Sequence, residues 1–228
     1  MILFEDDHLV VVNKPSGLLS QPNKEGDDSI LSEVAKLDIQ LSGGEDPMRY
    51  GLVHRLDRDT SGVLILSKNQ VSYQTLQDQF RERTVEKEYH FLATGFVKKM
   101  QFSVDLPLGR HPKKRQTRMV QEDGRDALTH FKLIKLYGKK YSLWKATPKT
   151  GRTHQIRVHA SESGLSILGD PHYSKNNQYA GLQDQHPNRT MLHCYQLDFQ
   201  HPIEKTTLSI KAEYPTDFQL LKSKIESL

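Results

Sequence analysis

Leu52-Val53-His54-Arg55-Leu56-Asp57-Arg58-Asp59-Thr60-Ser61-Gly62-Val63-Leu64-Ile65-Leu66-Ser67 sets a dense polar run between two apolar stretches. The apolar flanks belong in a core, so His54 to Gly62 reads as a loop anchored at both ends, and Val63 to Ser67 as a buried strand leaving it. Loops held by a rigid scaffold are where proteins present reactive groups. The same residues also fit a surface turn in which Arg55, Asp57, Arg58 and Asp59 neutralise one another, and the loop alone does not choose between the two readings.

Working outward, Leu9 to Asn13 is a second buried strand, closed by Lys14-Pro15-Ser16-Gly17. Ile30, Leu31, Val34, Leu37 and Leu41 recur at helical spacing behind Asp28 or Ser29 as the cap. Tyr73, Leu76 and Phe80 mark another helix, ending in the charged run Arg81 to Arg83. Strands are expected at Lys87 to Thr94, Met191 to Phe199 and Thr207 to Ala212. Ala127 to Tyr137 and Tyr141 to Thr147 form a hairpin around Gly138-Lys139-Lys140. Short turns rather than helical crossovers join the later strands, which favours α+β with a mixed, mostly antiparallel central sheet flanked by helices and loops. No linker or repeat interrupts the chain, so residues 1–228 are expected to form a single catalytic domain.

At 228 residues with 36% hydrophobic and 26% charged side chains, the chain has the composition of a globular protein. No apolar run suits a membrane span, and Leu9 to Val12 is too short for the core of a secretory signal. The single cysteine, Cys194, excludes an internal disulfide and a multi-thiolate metal site, and fits a reducing, cytoplasmic setting. The net charge of +4 conceals an asymmetry: residues 1–50 hold ten acidic against four basic side chains, so the remainder carries +10.

Part of that excess sits in Gly109 to Arg118, where Arg110, Lys113, Lys114, Arg115 and Arg118 occur with no acidic residue. Gly and Pro there argue for a loop. Such a patch suits a phosphate backbone or is simply solvated. A second polar segment, Thr150-Gly151-Arg152-Thr153-His154-Gln155-Ile156-Arg157-Val158-His159, opens a short helix whose N-terminus, with Arg152, would attract an anion. His154 and His159 are five apart, on different helical faces, which disfavours shared metal ligation.

His54 to Gly62 resembles the signature of the RluA-type pseudouridine synthases, and companions agree in order across nearly the whole chain. Asp6 to Pro22 resembles the family's opening strand and turn, and Lys87-Glu88-Tyr89 its K-x-Y strand. Gly151 to His159 resembles its third block, and Leu192-His193 through His201-Pro202 its closing strand. The resemblance implies the pseudouridine synthase fold and isomerisation of uridine in structured RNA, rRNA or tRNA. The family's S4-like RNA-binding domain is not seen ahead of residue 2, so the catalytic domain itself is expected to hold RNA.

Residue by residue, the resemblance makes Asp57 the catalytic aspartate, Arg152 its basic partner, and Tyr89 the tyrosine that stacks on uracil. The alternatives are a phosphate contact for Arg152 and a core role for Tyr89. Arg55 matches the arginine that fills the stack vacated by a flipped base. Asp59 with Thr60 is expected to hold the loop, and His54 to be a structural hydrogen-bonder. Detaching, turning and rejoining a base cannot occur inside a stacked helix, so the nucleotide must flip out. Arg58, Arg110, Lys113, Lys114, Arg115, Arg118, His154 and Arg157 are the further expected RNA contacts, alongside Arg55. The reaction needs neither cofactor nor metal, and no nucleotide or zinc motif is present. A monomer with no obligate protein partner and no membrane association is expected. Ser42 to Met48 and Tyr173 to Arg189 are expected to shape substrate choice.

Overall fold

The computed structural model describes residues 1–24, 26–95, 98–114, 116–174, 182 and 187–228. In chain order the elements are β1 (Ile2–Glu5), β2 (Leu9–Lys14), α1 (Ile30–Ala35), β3 (Ser61–Ser67), α2 (Gln70–Glu82), β4 (Glu86–Gly95), β5 (Gln101–Asp105), β6 (Leu108–Arg110) and β7 (Arg118–Val120). There follow β8 (Leu128–Tyr137), β9 (Tyr141–Pro148), α3 (Gln155–Glu162), β10 (Leu165–Ile167), β11 (Leu192–Gln200), β12 (Thr207–Lys211) and α4 (Thr216–Glu226). The chain divides into two compact units, residues 1–87 with 194–213 and residues 88–193 with 214–228.

The first unit is built on β2 and β3, antiparallel with Val11 opposite Ile65 and Val12 opposite Leu64. These side chains are fully buried, which explains why both strands read as continuous apolar runs rather than alternating ones. β1 pairs the outer side of β2, and β12 pairs β11. Asn69 caps α2 by accepting from Ser72 N–H at 2.9 Å. The amide of Gln79 then docks the helix, donating to the Gln200 carbonyl and accepting from its N–H, both at 2.9 Å. Ser29 caps α1 through a reciprocal box with Ser32. The helical spacing through Leu41 overshoots, since α1 stops at Ala35, and Asp38 in the left-handed region at φ 58° turns the chain away. Gly62 at φ 116° lies so close to Cys194 that a Cβ would fall 2.1 Å from the Cys194 carbonyl oxygen.

The second unit is built on an antiparallel sheet in the order β4-β9-β8-β5, in which the first strand lies beside the last, with β10 on the other side of β4. Phe91, Phe131, Trp144, Ala146, Ile156 and Leu165 form one buried cluster, and Leu92, Leu143, Phe218, Leu221 and Ile225 bring α4 onto another. β6 and β7 make a separate two-stranded ribbon. Its presence corrects the sequence reading of Gly109 to Arg118 as a plain loop: Gly109, Arg110 and Arg118 are strand residues. The β1–β2, β2–β3 and β11–β12 pairings and the β4–β9, β8–β9, β5–β8 and β4–β10 pairings are antiparallel, and helices are few, in keeping with the expected α+β class.

Candidate active site

The backbone from Leu56 to Thr60 is held by the turn that follows β2. Lys14 is fully buried, and its ammonium donates to the carbonyls of Pro15, Leu18 and Arg58 at 2.9, 2.6 and 3.0 Å. Three donors meeting three carbonyls is what lets a cation sit inside a core. Gly17 N–H also donates to the Arg58 carbonyl at 3.0 Å, and Ser16 Oγ to the Asp59 carbonyl at 2.9 Å. Ser20 Oγ donates to the Leu56 carbonyl at 2.8 Å and accepts from Leu56 N–H at 3.0 Å. Thr60 N–H closes the turn on the Asp57 carbonyl at 3.1 Å. The backbone on both sides of Asp57 is therefore fixed by neighbours, and its half-buried carboxylate is carried at the middle of the loop.

Arg55 and Arg58 are exposed, and Arg58 Nε donates to the Gly17 carbonyl at 2.9 Å. His54 points the other way, stacking on Phe80 with ring centroids 4.5 Å apart and accepting from Ile65 N–H at 3.0 Å. Burial, aided by the positive charge of Lys87, pushes its pKa down to about 3. A ring that is neutral and accepting at physiological pH is a structural part of the loop, as the sequence suggested.

In the second unit the organising side chain is buried Gln155. Its Oε1 accepts from Thr150 Oγ1 at 2.7 Å and from Arg152 N–H at 3.0 Å. Its Nε2 donates to the Leu128 carbonyl and Thr129 Oγ1, both at 3.0 Å. Thr129 passes the chain to His159 Nδ1 at 2.9 Å, and His159 Nε2 reaches the Leu106 carbonyl at 3.0 Å. Burial lowers the His159 pKa against the opposing pull of that carbonyl and of Asp105 and Glu162. The network clamps the turn carrying Arg152 onto β8, and Arg152 Nε donates to the Asp126 carbonyl at 3.0 Å.

Arg110, Arg118 and Arg152 line one cleft of about 520 Å³, together with Arg125, which the sequence reading did not single out. Lys113 and Lys114 are exposed at the ribbon tip, their N–H groups donating to His111 Nδ1 at 3.1 Å each. His154, in the left-handed region at φ 59°, bonds Tyr173 Oη through Nδ1 at 2.8 Å, and the same oxygen accepts from Arg118 N–H at 2.7 Å. Tyr89 is half-buried on β4, opposite Ala146 and packed against the Phe91 cluster. Arg115 and most of Tyr173 to Arg189 lie outside the described residues.

Arg157 departs from the expected RNA contact. It is 6% exposed, its Nε and Nη2 bond both oxygens of Asp170 at 2.7 and 2.9 Å, and its guanidinium lies over the Tyr173 ring. Burial resists ionisation of Asp170, but Arg157 and the His172 and Tyr173 amides hold its pKa below the usual carboxylate value. The motif's second arginine is spent on packing. Among the described residues no group of three or more His, Cys, Asp and Glu side chains could hold a metal ion, and no helix is long and apolar enough to cross a membrane. The functional supports missed in the sequence are Lys14, Gln155 and Asp170, whose roles depend on partners distant along the chain.

Residues 8–162 match the RNA pseudouridylate synthase family. The ribosomal large subunit pseudouridine synthase D of Zymomonas mobilis is 40% identical over 226 residues, covering 96% of this chain and 71% of that protein. The ribosomal large subunit pseudouridine synthase C of Buchnera aphidicola is 38% identical over 221 residues, covering 96% of this chain and 68% of its own. Among solved structures, human RNA pseudouridylate synthase domain containing 4 superposes with a TM-score of 0.78 at 25% identity, covering 98% of this chain and 92% of that one. The chain belongs to the RNA pseudouridylate synthase family and is an RNA pseudouridine synthase. Within that family it is of the RluA type, as the His54 to Gly62 motif indicated.

Proposed function

We propose that the chain converts specific uridines of large-subunit ribosomal RNA to pseudouridine, with tRNA as the second substrate class to test. In this reading residues 1–228 work as a single catalytic domain with Asp57, Tyr89 and Arg152 as its catalytic residues. The target uridine flips out of its stack and Arg55 fills the gap. The ionised Asp57 supports cleavage of the bond between ribose C1′ and uracil N1, the detached base turns, and C1′ joins C5. The hydrogen at C5 leaves as a proton from near the Tyr89 hydroxyl, and N1 regains one, so the reaction is an isomerisation needing neither cofactor nor metal. Arg152 serves as the basic catalytic residue of the set. Arg58, Arg110, Lys113, Lys114, Arg115, Arg118 and His154 grip the RNA. The protein acts as a cytoplasmic monomer with no obligate protein partner.

The observation that carries this reading is the pinned Leu56 to Thr60 backbone, whose carbonyls are taken by Lys14, Ser16 and Ser20 and which fixes the position from which Asp57 projects. The test is tritium release from RNA labelled at uridine C5, comparing wild type with Asp57→Asn on large-subunit rRNA transcripts and total tRNA. Release by wild type that disappears in the variant supports it. Binding of both RNAs with no release by wild type sinks it, and release from tRNA alone replaces the substrate.

A further inference from the structure

Strand β8 outruns the neighbour on its outer side. β5 pairs with it only from Leu128 to Lys132, and one further bond, Leu133 N–H to the Met100 carbonyl at 2.7 Å, ends the coverage. On the inner side β9 accompanies β8 to Tyr137, so among the described residues the stretch from Ile134 to Tyr137 is paired on one side only. A sheet edge is normally protected by charge, a bulge or shortness. Lys132, Lys135 and a register shift between Leu133 and Lys135 supply some of that protection. Aliphatic side chains nevertheless stand among the lysines: Ile134 is 45% exposed, Leu136 58%, and Met100, where β5 begins, 71%. Exposed apolar groups ringed by charge mark interaction surfaces. The ring has one sign: Lys98, Lys99, Lys132, Lys139 and Lys140 are exposed and form no ion pair among the described residues, whereas Glu226 is taken by Lys135 and Lys222. Tyr137 and Tyr141 are buried, and the described residues of this edge include no arginine and no exposed aromatic ring, the groups on which single-stranded RNA stacks.

We propose that β8 from Ile134 to Tyr137 is a docking edge for an extended acidic segment of a partner protein, added as a strand along the line of β5. Main-chain bonds to β8 supply the pairing that β5 does not reach. Apolar side chains of the segment cover Ile134, Leu136 and Met100, and its carboxylates meet the lysines, which select an acidic partner and speed its arrival. None of these residues belongs to the Asp57 loop, the Arg152 turn or the β6–β7 ribbon. The contact is not needed for turnover, so an enzyme that works alone can still be recruited through it.

The experiment is fluorescence anisotropy of the full chain with a labelled peptide of alternating Glu and Val, about eight residues long. The same peptide with every backbone amide N-methylated tests the main-chain pairing, and a large-subunit rRNA transcript serves as competitor. Wild type should bind the plain peptide saturably and less tightly as salt is raised. The N-methylated peptide and the variant Leu136→Glu should each weaken binding by about tenfold or more. Hydrogen exchange should slow at the amides between Ile134 and Tyr137 when the plain peptide is added. Thermal unfolding checks that Leu136→Glu is folded. If it is not, Lys139→Glu combined with Lys140→Glu at the exposed turn takes its place, with the same expected loss. No saturable binding by wild type up to about 1 mM peptide overturns the proposal. Equal binding of the N-methylated peptide also overturns it, since charge capture alone would then account for the contact. Displacement of the peptide by rRNA, with rRNA protecting the same amides, assigns the edge to RNA and overturns it as well.

Discussion

The loop carrying Asp57 and the ribbon carrying Arg110 and Arg118 are both polar, but they are held in opposite ways. Around Asp57 the neighbours bond the backbone, through a fully buried lysine and two serine hydroxyls. The ribbon is two three-residue strands with exposed lysines at the tip, tied down through Tyr173. A carboxylate that must meet one atom of a substrate needs its backbone fixed to a fraction of an ångström. Cations that follow a sugar–phosphate chain need reach more than precision. The first region should therefore govern kcat and the second KM.

The sharpest way to break that contrast is Asp57→Asn, expected to cut tritium release roughly 10⁴-fold while RNA binding measured by filter retention stays near wild type. Asp170→Asn should lower stability by about 3–5 kcal/mol in urea denaturation, because the buried Arg157 guanidinium loses its counter-charge. If KM then rises more than kcat falls, Tyr173 is confirmed as the tether of the ribbon. Lys14→Met leaves the Arg58, Leu18 and Pro15 carbonyls without their cation and should cost about 2–3 kcal/mol. In the folded remainder kcat should drop with KM nearly unchanged, and the reverse pattern would contradict the division of labour.

The fourth prediction concerns pH. Folded His54 stays neutral down to about pH 3, whereas in the unfolded chain it protonates below about 6.5. Below that value the unfolded state binds the extra proton, so stability falls on acidification, by up to about 1.4 kcal/mol per pH unit from this group, and the loss levels off below pH 3. His54→Phe should be less stable near pH 7, having lost the acceptor for Ile65 N–H, and its melting temperature should fall less steeply from pH 6 to pH 4. The smallest effect belongs to the ribbon tip: Lys113→Gln and Lys114→Gln should each reduce the salt slope by less than about 0.9, with stability unchanged.

The sequence made β2, β3, α2, β8 and β9 legible because each carries its own period or an unbroken apolar run, with turn residues at its ends. β1, β5, β10 and α4 escaped, the three strands being short and dependent on their partners for definition. α1 was overdrawn because Leu37 and Leu41 keep the helical spacing after the backbone has turned at Asp38. For the candidate site, the motif located the Asp57 loop and the Arg152 turn, and the charge pattern located Arg110 to Arg118. Lys14 looked like the end of a strand, since nothing local reveals that its ammonium is buried. Arg157 looked like Arg152, the other arginine of its motif, and only Asp170, thirteen residues on, shows otherwise. Arg125 was passed over because its approach to Arg110 depends on a backbone pairing with Leu108.

The Lys14 contact with the Arg58 carbonyl spans 44 residues of chain. Closing so long a segment costs conformational entropy that only the β2–β3 pairing can offset. The peptide His54 to Gly62, cut from the protein, has no reason to keep the shape it holds beside Lys14. During refolding the competent loop should emerge together with the non-local pairing of the first unit, in one slow step rather than by early local assembly. Recovery of turnover would then follow the kinetics of long-range strand docking and lag behind the appearance of helical circular dichroism.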